Sequence, residues 1–228
     1  LHINYYEEDI KMTEKEAILK RHSVRSYEGR EIEDEKVKLI EAKIDELNLE
    51  GNLNFKFVKD AGKTYNKFFN VVSGLGTAPS VIACVGKDTK DLDMRVGYYG
   101  EKLVLFLQTL GLNTCWTGTF NKKNIDVNVK DDESLVIAIA VGYGKDQGRA
   151  RKSKTLEQVT AGKKDMPDWF KEGVEMALLA PTAINQQKFT IKLNDDESVE
   201  FIDNGGVLSQ VDLGIVKCHF EIGAGKKF

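Results

Sequence analysis

The segment at residues 97–112, GYYGEKLVLFLQTLGL, is helical in length, apolar on most faces and stopped by Gly111. A helix of that kind cannot lie on a wetted surface with only one side covered. It belongs in the middle of a fold or in a subunit interface, so the rest of the chain must supply layers around it. Two continuous apolar runs bracket it, SVIACVG at 80–86 and SLVIAIAVG at 134–142, and both read as strands buried on both faces. The longest uncharged runs, 68–86 and 103–121, are interrupted by Gly, Pro, Asn and Gln, so neither reads as a membrane span.

The remaining elements follow from local signals. TEKE at 13–16 is a capping box that starts a short helix running into RHSVRSY at 21–27. Val37, Ile40, Ile44 and Leu47 recur at helical spacing over about 34–48, and Gly51 ends that helix. NFKFV at 54–58 alternates as a strand does. After a Gly- and cation-rich stretch at 142–154 the pattern begins again. Pro167 suits the first turn of a helix carrying Phe170, Val174, Ala177 and Leu178, which must end before Pro181. KFTIKL and SVEFID read as a hairpin, and VDLGIVKCHFEIGAG closes the chain as a helix.

With 228 residues the chain can bury a sizeable core as one large domain or two packed halves. Its net charge of -3 and the lack of a dominant basic block argue against nucleic acid, while a few local cations leave room for a small anion. Cys84, Cys115 and Cys218 are odd in number, form no CxxC pair and lie in apolar stretches, which predicts buried reduced thiols in a reducing, cytoplasmic compartment. Residues 1–11 are polar and acidic and read as an extension rather than a secretory leader, with Met12 opening the organised part.

Four stretches carry chemistry. In RHSVR, Arg21, Ser23 and Arg25 alternate beyond a helix, so an extended backbone would aim two guanidinium forks and a hydroxyl at one anion; a solvated basic loop is the plainer reading. RARKSK at 149–154 is either a solvated linker or a second source of cations, with Lys152 and Lys154 leading and Arg151 competing. In TCWTGTF the Thr117 and Gly118 N–H groups could donate to a flat ligand that approaches the backbone closely, unless the segment is a simple turn. APTAINQQ at 180–187 ends a helix with a polar, uncharged loop, which suits an ordinary turn or a neutral heteroaromatic ligand. His2, His22 and His219 have no metal-ligand spacing, and HExxH, GxSxG and Walker A patterns do not occur, so no metal is expected. His219 reads as a packed helix histidine. GYGKDQG has the wrong glycine spacing for a dinucleotide loop.

Taken together, RHSVRSY, APTAINQQKF, the 97–118 helix-and-turn, AVGYGK and KSK resemble the motifs of FMN-dependent nitroreductases. The amide-rich segment follows the arginine loop closely in ordinary members and is displaced here to residue 180, an order that resembles the two-halved, pseudo-dimeric TM nitroreductase branch. The resemblance implies an α+β fold, a central, mostly antiparallel sheet flanked by helices. It further implies an extension at 1–12, a first nitroreductase-like half at 13–154 and a shorter second half at 155–228 packed against it. One chain would then build one complete site, as a monomeric pseudo-dimer or a weak homodimer.

By the same resemblance Arg21, Lys152 and Lys154 would hold the FMN phosphate, with Ser23 beside them. Arg25 would face the ring edge that gains negative charge on reduction. Pro181, Thr182 and Asn185 would face the isoalloxazine, and the Thr117 and Gly118 backbone its N5 and O4. Here Thr182 stands where Ser is usual, Lys188–Phe189 where Pro-Trp is usual, and Lys154 where Arg is common. The implied activity is hydride transfer from NADH or NADPH through flavin N5 to a small-molecule acceptor such as a nitroaromatic or quinone, with no side-chain catalyst. The alternatives are a flavin-binding protein without turnover, or a related flavin reaction such as reductive dehalogenation.

Overall fold

The helix expected at the centre is there, and it is longer than its apolar core suggests. In the computed structural model, which describes residues 12–59, 75, 78–120 and 122–228, it spans Leu92–Thr109 and buries Val96, Leu103, Val104, Leu105 and Leu107. Numbered in chain order it is α3, after α1 (Glu14–Lys20), α2 (Asp34–Gly51), β1 (Lys56–Val58) and β2 (Ser80–Lys87). It is followed by β3 (Asn113–Thr117), β4 (Glu133–Gly142), α4 (Leu156–Val159), β5 (Thr160–Gly162) and α5 (Asp168–Ala177). The hairpin β6 (Phe189–Leu193) and β7 (Val199–Asp203) and the closing helix α6 (Ser209–Ala224) complete the order.

The expected capping box forms: the Glu16 N–H donates to Thr13 Oγ1 and Glu16 Oε2 accepts from the Thr13 N–H, which fixes the start of α1. Helix α2 runs on through Gly51, and Asn52, in the left-handed region at φ 48°, is the residue that stops it. Pro167 is the N-cap of α5 rather than a residue of its first turn. Strand β1 is shorter than the predicted 54–58, because Asn54 and Phe55 turn instead to Val85 and Asn48.

Among the described residues the strands form two sheets, the first of them the expected central antiparallel one. The first is wholly antiparallel in the order β1-β2-β4-β3, and the second has the order β5-β6-β7 with one parallel pair, β5 on β6. Helices join them: α3 packs along α6, which in turn packs on α5. The α3–α6 crossing is close because two glycines face each other's helix. A Cβ on Gly97 would lie 2.0 Å from the Val211 carbonyl oxygen, and one on Gly214 would lie 2.1 Å from that of Met94. The largest core cluster runs from Ile40 and Ile44 through Leu103 and Leu107 to Val216 and Phe220, so it spans both sheets' helices. Residues 1–11, the expected extension, lie outside the described residues.

Candidate functional site

Beyond α1 the chain runs extended beside β3. Ser23 bridges to Thr114, Val24 N–H donates to the Thr114 carbonyl, and Tyr27 bridges to Gly144. This pairing seats residues 21–28 between the edge of the first sheet and the loop after β4, and so brings Ser23 and Arg25 to a groove. The groove has two parts. A polar part of about 510 Å³ is lined by Ser23, Arg25, Arg149, Arg151 and Asn185 among others. An apolar part of about 320 Å³ is lined by Cys115, Thr117, Gly118, Ile137, Leu208 and Ile215 among others. Ser23, Arg25, Pro181, Thr182 and Ile184 line both, so the two are continuous.

The opposite wall is the loop that follows α5. Ile184, Asn185 and Gln187 all have positive φ, 46°, 56° and 46°. For a β-branched residue such as Ile184 that conformation is a steric outlier, at a cost of order 1–3 kcal/mol. Hydrogen bonds over-determine it. Gln187 N–H donates to Thr182 Oγ1 (3.1 Å), and Asn185 Nδ2 and Gln187 Nε2 both donate to the Lys152 carbonyl (2.9 and 3.0 Å). Lys154 closes the tie: its N–H donates to Gln187 Oε1 (2.9 Å) and its ammonium to the Gln187 carbonyl (2.6 Å). Ile184 itself is 89% exposed at the rim of the groove.

The predicted residues therefore separate. Ser23, Arg25, Thr117, Gly118, Pro181, Thr182 and Asn185 meet along the groove. Lys152 and Lys154 do not line it; they fasten the 182–187 loop from behind, and Arg151, the competing cation, lines the polar part instead. Its guanidinium donates to the carbonyls of Leu178 and Ala180 at the end of α5, while its Nε is buried without a partner. Burial lowers the Arg151 pKa to about 10.

Arg21 is not on the wall but beneath it. Its side chain is 2% exposed, Nη2 reaches Ser23 Oγ at 3.5 Å, and Nε and Nη1 are buried without hydrogen-bond partners. The nearest carboxylate, Glu101 of α3, has Oε1 4.0 Å from Arg21 Nε. Glu101 is fully buried and accepts from Trp116 Nε1 (2.8 Å) and His219 Nε2 (2.8 Å). Burial pushes its carboxyl up, but His219 and the neighbouring donors outweigh that and hold it below its ordinary value.

Asp212, from the first turns of α6, closes the apolar end. Its carboxyl accepts from the Ala183 N–H (2.9 Å) and from Gln186 Nε2 (2.7 Å), which staples the strained loop to α6. Burial raises its pKa to about 6 in spite of these donors. Glu101, Asp212 and Arg149 were not singled out from sequence. An acid set among the apolar residues of a helix was the available signal for the first two. Among the described residues no group of His, Cys, Asp and Glu could hold a metal ion, and no helix is long and apolar enough to cross a membrane.

Comparison with known proteins matches residues 13–224 to the family model described as "Putative TM nitroreductase". A solved structure from Thermotoga maritima MSB8, described as a "putative nitroreductase", is 25% identical with a TM-score of 0.68, over 95% of this chain and 87% of that one. A Staphylococcus epidermidis structure described as a "putative NAD(P)H:FMN oxidoreductase" is 16% identical with a TM-score of 0.53, over 64% of this chain and 94% of that one. A nitroreductase family protein from Streptococcus pneumoniae TIGR4 is 15% identical with a TM-score of 0.51, over 63% and 96% of the two chains. No curated protein matches the sequence.

Proposed function

Because this chain belongs to the TM nitroreductase family, we propose that it is an FMN-dependent oxidoreductase that moves a hydride from NADH or NADPH to a nitroaromatic, quinone or similar small acceptor. The observation that carries this reading is the shape and chemistry of the groove, cationic at one end and largely apolar at the other. Arg151 lines the cationic end with its Nε buried and without a hydrogen-bond partner, and Arg21, with Nε and Nη1 in the same condition, lies beneath it; buried guanidinium donors without partners are costly unless an anion or water completes them. A phosphate monoester answers that need, and a flat ring fits against Cys115, Ile137 and Pro181. FMN has both parts on one molecule and, when bound, supplies the hydride chemistry.

In this reading Ser23, Arg149 and Arg151 face the phosphate, with Arg21 supporting them from below. Arg25 stands where the two parts of the groove meet, so its charge stabilises an anion developing on the ring edge. Thr117 spends its hydroxyl on the Ala138 carbonyl, which fixes the end of β3 beside the ring. Pro181 and Thr182 form the facing wall, and the exposed Ile184 shields an acceptor from water. The two sheets joined by α3 and α6 support reading 13–154 and 155–228 as two fused nitroreductase-like halves. The three free, buried cysteines fit a reducing, cytoplasmic setting.

The test is the visible spectrum. The purified protein, loaded with FMN, should be yellow, bleach on addition of NADH or NADPH and recover colour with a nitroaromatic or quinone. A bound flavin inert to both nucleotides would leave a flavin-binding protein without turnover.

A further inference from the structure

His219 is fully buried on α6, and both of its ring nitrogens face acceptors. Nδ1 is 3.1 Å from the Met176 carbonyl oxygen, and Nε2 is 2.8 Å from Glu101 Oε1. A carbonyl cannot donate, so Nδ1 must carry a proton. Glu101 already accepts from Trp116 and lies beside Arg21, contacts that favour its ionised form, so Nε2 must carry one too.

Two protons make His219 an imidazolium, and its charge is matched to Glu101. That pairing decides what is left for Arg21. Glu101 is the carboxylate within salt-bridge range of Arg21, but at 4.0 Å it is held by His219 and Trp116 instead. Arg151 therefore lines the polar end of the groove with Arg21 beneath it, and among the described residues the one carboxylate in salt-bridge range of Arg21 is shared with, and held closer by, His219. Asp146, the acid on that rim, is exposed and accepts from the Gly148 N–H.

We infer that His219 is a positioning residue for the cofactor anion: by holding Glu101 at 2.8 Å it keeps that carboxylate from closing on Arg21, so the buried Arg21–Glu101–His219 cluster keeps one net positive charge beneath the arginines that face a doubly charged phosphate monoester. The inference rests on the FMN reading above and adds a residue that touches neither the groove nor the ligand. A phosphate monoester carries close to two charges at neutral pH. If His219 were neutral, Glu101 would close on Arg21 and cancel its charge.

The test compares FMN with riboflavin, which has the same ring and no phosphate, by fluorescence titration of the full-length protein. The native protein should prefer FMN. His219→Gln should cut that preference roughly tenfold or more, with riboflavin affinity little changed. Removing the carboxylate as well, in His219→Gln/Glu101→Gln, should restore it, because no carboxylate is left there to cancel the charge of Arg21. Glu101→Gln alone should keep it.

An unchanged preference in His219→Gln, or a double variant no better than the single one, overturns the inference while leaving FMN binding intact. A native protein that does not prefer FMN overturns the functional reading and this inference with it. Should the variants fail to fold, nitrogen NMR of the histidines in the native protein decides. Both His219 nitrogens should show the protonated signature at neutral pH, and a single neutral tautomer refutes the proposal.

Discussion

Asp212 shows how one side chain couples the groove to the stability of the fold. Its carboxyl is 7% exposed, and burial dominates, lifting its pKa to about 6 although it accepts from Ala183 and Gln186. In the unfolded chain the same group returns to its ordinary value, near 3.8. A carboxyl with a raised folded value binds its proton more tightly when folded. Its contribution is complete below the unfolded value and is lost as pH rises through about 6. From about pH 4 to pH 6 this residue should withdraw about 2–3 kcal/mol of stability. Asp212→Asn carries no titrating group, so its urea-unfolding free energy should lose that part of the pH slope. Parallel slopes for the two proteins over this range would show that Asp212 is not held protonated.

At the scale of elements, the α3–α6 crossing fixes the site, since α3 carries Glu101 and α6 carries His219 and Asp212. Gly97→Ala places a methyl 2.0 Å from a backbone oxygen of the other helix, and Gly214→Ala does the same at 2.1 Å. Neither backbone can yield without parting the helices. Each substitution should cost about 1–3 kcal/mol or more, read as a lower thermal midpoint. Because both act at one crossing, the double variant should cost less than their sum; simple additivity would mean the two contacts are independent.

The central helix was legible because Leu103 to Leu107 is apolar on every face, whereas its first turn, LDMR, has no such pattern and was missed. Strand β5 was missed because three residues show no alternation and its partner, β6, is remote and parallel. In the site, the groove-lining part of RHSVR and the amide run at 185–187 were visible as motifs. RARKSK could not say which cation turns inward, because that choice is made by the Gln187 and Lys152 backbone bonds. The pairing of Glu101 with His219 joins residues 118 positions apart, and no local pattern encodes it.

For the whole molecule, the groove is built from distant parts of one chain. Residues 22–26 and 146–151 form the polar end, 181–185 the facing wall, and the end of β3 with the start of α6 the apolar end. The helix pair α3 and α6, which holds these parts in register, packs within the same chain. A site divided between subunits would empty as the subunits part, because dilution shifts the association equilibrium. A site contained in one chain has no such dependence. We therefore expect one FMN per chain and a flavin dissociation constant independent of protein concentration, measured by fluorescence titration from dilute to concentrated protein. Affinity that weakens on dilution, or half a flavin per chain at saturation, would mean that a second chain completes the site. Because Arg25 and Pro181 are both groove residues of the same chain, the titration at the lowest protein concentration should return the same flavin dissociation constant as the titration at the highest.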